Sequence, residues 1–117
     1  MINEFAIDIT DGNSTQVKVV HLAGELDEVS MEKIKGQLDQ LLEDSSIIQL
    51  IFDFTKLKFV NSKGIGYLVS VHTHLTKDGR TMVIAGATQP VMDVLSLIGL
   101  TNIIPYYETI EEALTKT

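Results

Sequence analysis

The segment Ile47-Ile48-Gln49-Leu50-Ile51-Phe52-Asp53-Phe54 is almost continuously apolar, and it decides the fold class. A strand that is covered on one face alternates apolar and polar residues, whereas a strand that is buried on both faces reads as a nearly unbroken apolar run. Residues 47–54 therefore predict a central strand of a sheet, and a short loop is predicted after Phe54. Strands of this kind are typical of parallel sheets that have helices on both faces.

The segments on either side of this strand alternate between the periodicities of strands and helices. Two strands are predicted before it, at 5–9 and 17–22, and their short connection favours an antiparallel pair. Helices are predicted near 31–42, 65–75, 91–98 and 109–114, and further strands at 82–85 and 102–105. The order β-β-α-β-α-β-α-β-α predicts an α/β fold with a mixed four- to five-stranded sheet, a parallel centre and about four helices, in one domain over residues 1–117.

Composition narrows the classes of partner. The chain has 9 basic and 16 acidic residues, a net charge of −7 at pH 7, and no cysteine. An acidic protein is repelled by nucleic acids and by anionic membranes, so we expect neither as a partner, whereas a basic protein surface would be attracted. No apolar run reaches the roughly 18 residues of a membrane span, and residues 1–11 lack the basic start of a signal peptide. The expected location is the cytoplasm.

The turn Asn61-Ser62 follows the central strand and starts the second helix. The free amides and the dipole of a helix N-terminus favour an anion, so a phosphate on Ser62 would be tolerated without unfolding the helix. That phosphate would add roughly −1.5 to −2 charges to the exposed tip of the helix, which is a physical route to a binding switch. The alternative is that Ser62 is only the N-cap of this helix.

Enzymatic alternatives are weaker. Gly64-Ile65-Gly66 follows a strand as a dinucleotide-binding turn would, but the position of the third glycine holds Val69, so the glycines indicate close packing of the helix on the sheet. Ser62 lies in no Gly-x-Ser-x-Gly elbow. His72 and His74 are two apart on a helix and point to different faces, so they do not form a metal site. We expect no catalytic residue, no metal and no cofactor.

Three short motifs follow one another along the chain. Leu22-Ala23-Gly24-Glu25-Leu26-Asp27 ends the second strand, Asn61-Ser62-Lys63-Gly64-Ile65-Gly66 starts the second helix, and Ile98-Gly99-Leu100 with Ile103-Ile104 follows the third. Together they resemble the STAS family, the anti-sigma factor antagonists of bacteria. The corresponding family patterns are Gly-Glu-Leu-Asp, Asp-Ser-Ser/Thr-Gly-Leu-Gly and Gly-Leu-x-x-Ile-Ile, so the resemblance covers essentially the whole chain.

The resemblance implies a STAS fold and a mechanism called partner switching. The unphosphorylated antagonist binds an anti-sigma factor that is also a serine kinase, phosphorylation by that kinase ends the binding, and a phosphatase resets it. Carried over, Ser62 is the phosphoacceptor and the kinase supplies the nucleotide, so the chain itself is not an enzyme. The residues expected to bind the partner are Glu25, Asp27, Asp53, Asn61, Ser62, Lys63, Gly64 and Ile65.

Several roles stay open at this point. Glu25, Asp27 and Glu28 form a short acidic cluster after the second strand, which either flanks Ser62 and contacts a basic patch on the kinase or serves only in the turn and as a helix cap. Asp27 and Ser30 are the two candidates for that cap. Asp53, expected at the end of the central strand, is a candidate to orient the Ser62 turn. Asn61 and Lys63 depart from the family pattern of Asp and Ser/Thr. A STAS domain without phosphorylation, acting as a scaffold or as a subunit of a lipid-transport complex, is the alternative function.

Overall fold

The structure, a computed structural model, describes residues 5–116; the chain ends included in the predicted domain, residues 1–4 and 117, lie outside them. Its strands are β1 (Ala6–Asp11), β2 (Val17–Leu26), β3 (Gln49–Val60), β4 (Thr81–Ala85) and β5 (Tyr106–Tyr107). Its helices are α1 (Glu28–Glu43), α2 (Ser62–Lys77), α3 (Gln89–Leu97) and α4 (Ile110–Lys116), with a 3₁₀ turn at Leu100–Asn102. The predicted α/β order and the mixed sheet are confirmed.

The central position of β3 is confirmed. The strand order is β1-β2-β3-β4-β5, in which β3 runs parallel to β2 and β4 while β1 is antiparallel to β2. Phe52 and Phe54 point into a core formed with α1, α2 and α3, whereas Ile51 points into a smaller core that includes Ala113 of α4. Both faces of β3 are therefore buried, which is why its sequence does not alternate.

The predicted loop after Phe54 is wrong, because β3 continues to Val60. Leu57 and Val60 are fully buried and stay in register with Gly24 and Leu26 of β2, so this half of the strand keeps its ladder and its place in the core. The polar residues that suggested a loop, such as Lys58, lie on its exposed side. Register shifts in the β2–β3 pair break the regular alternation of buried and exposed side chains in this half of β3. The sequence of this half therefore lacked the period of two that indicates a strand.

The predicted last strand at 102–105 is also wrong. Gly99 adopts a positive φ of 75°, and the chain then forms the 3₁₀ turn before the two-residue strand β5 pairs with β4. Leu100 and Ile104 are buried by this turn, so they pack as core residues of a compact connection rather than as members of a ladder. Pro105 immediately precedes β5, a position that requires no donation by its nitrogen to a ladder.

The N-termini of α1 and α2 meet at the carboxyl end of the β2–β3 pair. The register ends with Leu26 opposite Val60, and both helices start within two residues of that pair. The backbone N–H of Asn61 donates to the carbonyl of Leu26 at 3.1 Å, and this bond joins the ends of β2 and β3. Residues 24–28 and 61–65, far apart in sequence, therefore share one surface.

Candidate partner-binding site

Asn61, and not Ser62, caps α2. Asn61 has extended backbone angles, and its side-chain Oδ1 accepts a hydrogen bond from the backbone N–H of Gly64 at 2.9 Å. An N-cap that bonds the third helical residue satisfies one of the free amides of the first turn. The interpretation of Ser62 as the N-cap is wrong, because the preceding asparagine already fills that position.

Ser62 is the first residue of α2, and its side chain is exposed. Within residues 5–116, the structure shows no hydrogen bond from its hydroxyl to another side chain or to the backbone, because Asn61 makes the capping bond. Lys63 beside it is exposed as well, while Ile65 is half-buried. The turn therefore presents a free hydroxyl beside a cation at the positive end of a 16-residue helix.

Glu28 reaches this turn from α1. Its Oε1 accepts a hydrogen bond from the Asn61 side-chain Nδ2 at 3.1 Å. Glu28 is the acidic residue in the first turn of α1, while the first turn of α2 contains no acid. The acidic cluster of Glu25, Asp27 and Glu28 and the serine turn are thus joined directly by this hydrogen bond, which the sequence analysis did not predict. A contact across 33 residues leaves no local pattern by which it could have been found.

Asp27 is confirmed as the cap of α1. Its Oδ1 accepts from the backbone N–H groups of Val29 and Ser30 at 3.1 and 3.0 Å, and the Ser30 hydroxyl is 2.8 Å from the backbone nitrogen of Asp27. These bonds, led by the one from the Ser30 backbone, hold the pKa of Asp27 below its ordinary value. Both candidates of the sequence analysis take part, since Asp27 and Ser30 form a reciprocal capping box.

Exposed apolar side chains surround the turn. Glu25 is exposed and lies in register with Phe59, whose side chain is 47% exposed, and Val29 in the first turn of α1 is 64% exposed. The sequence analysis missed both apolar residues as surface features. A surface that combines a free hydroxyl, charges and exposed apolar groups has the mixture found in transient protein interfaces.

Gly64 and Gly66 differ in their packing. A Cβ at position 64 would stand 2.6 Å from the Leu26 carbonyl oxygen, whereas a Cβ at position 66 would meet nothing within 4 Å. The prediction of close packing is confirmed at Gly64 and wrong at Gly66, which is exposed. Gly64 itself is buried, so it brings α2 close to β2 and presents little surface of its own.

Asp53 lies in the middle of β3, not at its end, and it is turned to another part of the sheet. Its Oδ2 is 2.6 Å from His21 Nδ1, its Oδ1 accepts from the backbone N–H of Thr55 at 2.9 Å, and His21 Nε2 is 2.8 Å from the Thr10 hydroxyl. Partial burial opposes ionisation, but the hydrogen bonds from Thr55 and His21 outweigh it and hold the pKa of Asp53 below its ordinary value.

These bonds link β1, β2 and β3 rather than orienting the Ser62 turn. Val60 lies seven positions after Asp53 in β3, which corresponds to about 23 Å along a strand. The expected role of Asp53 in orienting Ser62 is therefore wrong. Whether the partner touches Asp53 stays a prediction.

Residues 5–116 contain neither a metal-binding cluster nor a membrane-spanning helix. No group of three or more histidine and carboxylate side chains there is arranged to hold a metal ion. In the same part of the chain, no helix combines the length and the apolar character that crossing a membrane requires.

Comparisons with known proteins identify the family of this chain. A model of the STAS domain family matches residues 6–113, which is nearly the whole chain. The chain belongs to the STAS domain family. Its two family-like motifs at 22–27 and 61–66 meet at the carboxyl end of β2 and β3. That they form one partner-binding site stays a prediction.

Relatives of this STAS domain extend over most of its length. The anti-sigma F factor antagonist of Paenibacillus polymyxa is 27% identical over 100 residues, which are 86% of each chain. An anti-sigma factor antagonist from Mycobacterium paratuberculosis superposes with a TM-score of 0.86 at 24% identity, covering 97% of this chain and 94% of that one. The phosphorylated form of the Bacillus cell fate determinant SpoIIAA superposes with a TM-score of 0.74 at 22% identity, covering 95% and 98%. At these identities the solved structures establish the fold.

Proposed function

We propose that this STAS domain is an anti-sigma factor antagonist that binds an anti-sigma factor with serine kinase activity, and that phosphorylation of Ser62 ends the binding. A phosphatase then restores the binding form. The name of the Paenibacillus polymyxa relative supports the first part of the proposal. A relative with this fold that carries a phosphate, SpoIIAA, supports the second.

The observation that carries the proposal is the free hydroxyl of Ser62 at the start of α2. Asn61 makes the capping bond to Gly64 at 2.9 Å, so a kinase can modify Ser62 without removing a bond that holds the helix. The product is compatible with the fold, because the first turn of a helix stabilises negative charge. If Ser62 itself capped the helix, its phosphorylation would disturb the capping bond.

The surroundings of Ser62 explain why a phosphate opposes docking. A partner that covers the turn also covers the exposed apolar side chains of Val29 and Phe59. Burying a neutral hydroxyl there requires one hydrogen bond, whereas burying a phosphate of roughly −2 charge requires full compensation by cations. Lys63 supplies one cation beside the serine, which suits a solvated phosphate better than a buried one.

The test is a pull-down of candidate anti-sigma factors from the native cell extract, with and without ATP. We expect Ser62→Ala to retain such a partner whether or not ATP is present, while the wild-type chain releases it with ATP and gains a phosphatase-sensitive phosphate. Ser70→Ala is the matched control, because Ser70 is an exposed serine on the same helix. Release of Ser62→Ala by ATP would contradict the proposal.

A further inference from the structure

Asn61 uses both ends of its side-chain amide at once. The oxygen accepts from Gly64 N–H at 2.9 Å in α2, and the nitrogen donates to Glu28 Oε1 at 3.1 Å in α1. An asparagine amide has one acceptor and one two-proton donor, so it can bridge a helix N-terminus and a carboxylate. The first turns of the two helices are joined through this single side chain, which directly precedes Ser62.

The charges around this bridge are unevenly divided. Glu28 supplies a carboxylate from α1, while the first turn of α2 has no acid and carries Lys63. A phosphate on Ser62 would enter between these groups with roughly −2 charge. It would repel the Glu28 carboxylate, attract Lys63 and offer Asn61 a stronger acceptor than the carboxylate it now contacts.

We propose that the Asn61 Nδ2 donor exchanges partners when Ser62 is phosphorylated, leaving the Glu28 carboxylate and bonding the phosphate. This inference rests on the proposed function of Ser62 as the phosphoacceptor. Glu28 is then a positioning residue: it holds Asn61 while Ser62 is free, and it is released when Ser62 is modified. The release frees the exposed carboxylate of Glu28 next to Val29, which is 64% exposed, so the modification changes the charged groups that both helices present to a partner.

The exchange requires asparagine at position 61. An aspartate there would still cap α2, but it has no donor, and its carboxylate would lie beside that of Glu28 and beside the phosphate. Like charges at such short range oppose one another. The departure of Asn61 from the acidic residue of the STAS motif is therefore matched by the carboxylate that Glu28 brings from α1.

The test follows the Asn61 side-chain amide by NMR while the pH is changed. Phosphoserine is incorporated at position 62 during translation, so no kinase is needed, and the full chain is compared with its unphosphorylated form. In the unphosphorylated chain we expect the amide resonances of Asn61 to follow the ionisation of a carboxyl group. In the phosphorylated chain we expect them to follow the second ionisation of the phosphate, near pH 6.

Two variants identify the carboxyl group. Glu28→Gln removes the carboxyl-dependent shift of Asn61 in the unphosphorylated chain and leaves the phosphate-dependent shift in place. Glu32→Gln, the same change at an exposed residue one turn later in α1, alters neither. The inference is overturned if Asn61 follows the carboxyl group in both forms, or if Glu28→Gln and Glu32→Gln behave alike.

Failure of this inference is separable from failure of the proposed function. Because phosphoserine is incorporated during translation, the response of Asn61 is measured even if no kinase modifies Ser62. The absence of such a kinase would refute only the proposed function. Conversely, a kinase that phosphorylates Ser62 without any change at Asn61 would refute only the exchange of partners.

Discussion

Gly64 lies against the carbonyl oxygen of Leu26, so closely that a Cβ at position 64 would stand 2.6 Å from that oxygen. Real Cβ atoms essentially never approach another atom within 3.0 Å, and the obstructing atom is backbone that cannot rotate away. This contact determines the distance between the start of α2 and β2, and it therefore determines where Ser62 lies on the surface.

Gly64→Ala should destabilise the fold and displace the start of α2. We expect a loss of about 2 kcal/mol in the free energy of unfolding, since the extra methyl overpacks a rigid site. Gly66→Ala is the matched control, because it adds the same methyl to the same helix in open space and should gain about 0.5–1 kcal/mol from helix propensity. Urea unfolding of both variants measures the difference. Equal effects would show that the contact with Leu26 is not limiting.

Ser62→Asp should weaken partner binding while the fold survives. The acidic residue sits at the first position of α2, where the helix dipole favours it, so we expect the free energy of unfolding to change by less than about 1 kcal/mol. The dissociation constant for the cognate partner should rise by at least about tenfold, because the charge has to be desolvated. Calorimetric titration against the partner measures this. Wild-type affinity would contradict it.

Arg80 should be among the most sensitive positions of the fold. Its side chain is buried, and its guanidinium donates to the carbonyl of Leu42 at 2.7 Å and to those of Asp44 and Ile47 at 3.3 and 3.4 Å. These carbonyls end α1 and the turn after it, and they have to be satisfied away from water.

Arg80→Met should therefore lower the free energy of unfolding by about 3 kcal/mol, because it removes the guanidinium that donates to the buried carbonyls of Leu42 and Ile47. Lys77→Met is the control, since it removes a cation from an exposed position at the end of α2. A thermal or urea unfolding series compares the two. A loss at Arg80 no larger than the loss at Lys77 would mean that water replaces the guanidinium.

The His21–Asp53 pair should make stability depend on acid pH. The pKa of Asp53 is lower in the folded chain than in the unfolded one, so its contribution is complete above the unfolded value of about 4 and is lost as the pH falls through the folded value. Asp53→Asn should be less stable than wild type at pH 7, and the gap should narrow as the pH falls below the unfolded value. Asp39→Asn, at an exposed site on α1, is the control. A gap that is independent of pH would refute the assignment.

Much of the architecture could be predicted because it depends on local patterns of apolar and turn-forming residues in the sequence. The unbroken apolar run at 47–54 indicated a strand buried on both faces, and Gly79, with φ of 75°, ends α2 in the left-handed conformation that its position indicated. The errors lie where local patterns are weak. The second half of β3 looked like a loop because register shifts break its alternation, and Ile103-Ile104 looked like a strand because two apolar residues do not distinguish a ladder from a buried turn.

The site was predicted in part for the same reason. A serine after a central strand and before a helix is a local feature, so Ser62 could be found from sequence. Its cap could not be assigned, because Asn61 and Ser62 are both good capping residues and only the backbone angles distinguish them. Asp53 was misplaced because the length of β3 was not known.

The sequence by itself determined the order of strands and helices, the central place of β3 and the position of Ser62 at a helix start, because each depends on the spacing of neighbouring residues. The tertiary structure alone decided which side chains meet. The bonds Glu28–Asn61, Arg80–Leu42 and His21–Asp53 span 33, 38 and 32 residues. Such contacts arise from how the sheet aligns its strands and brings the helix ends together, and a one-residue change of register would remove them without altering any local pattern.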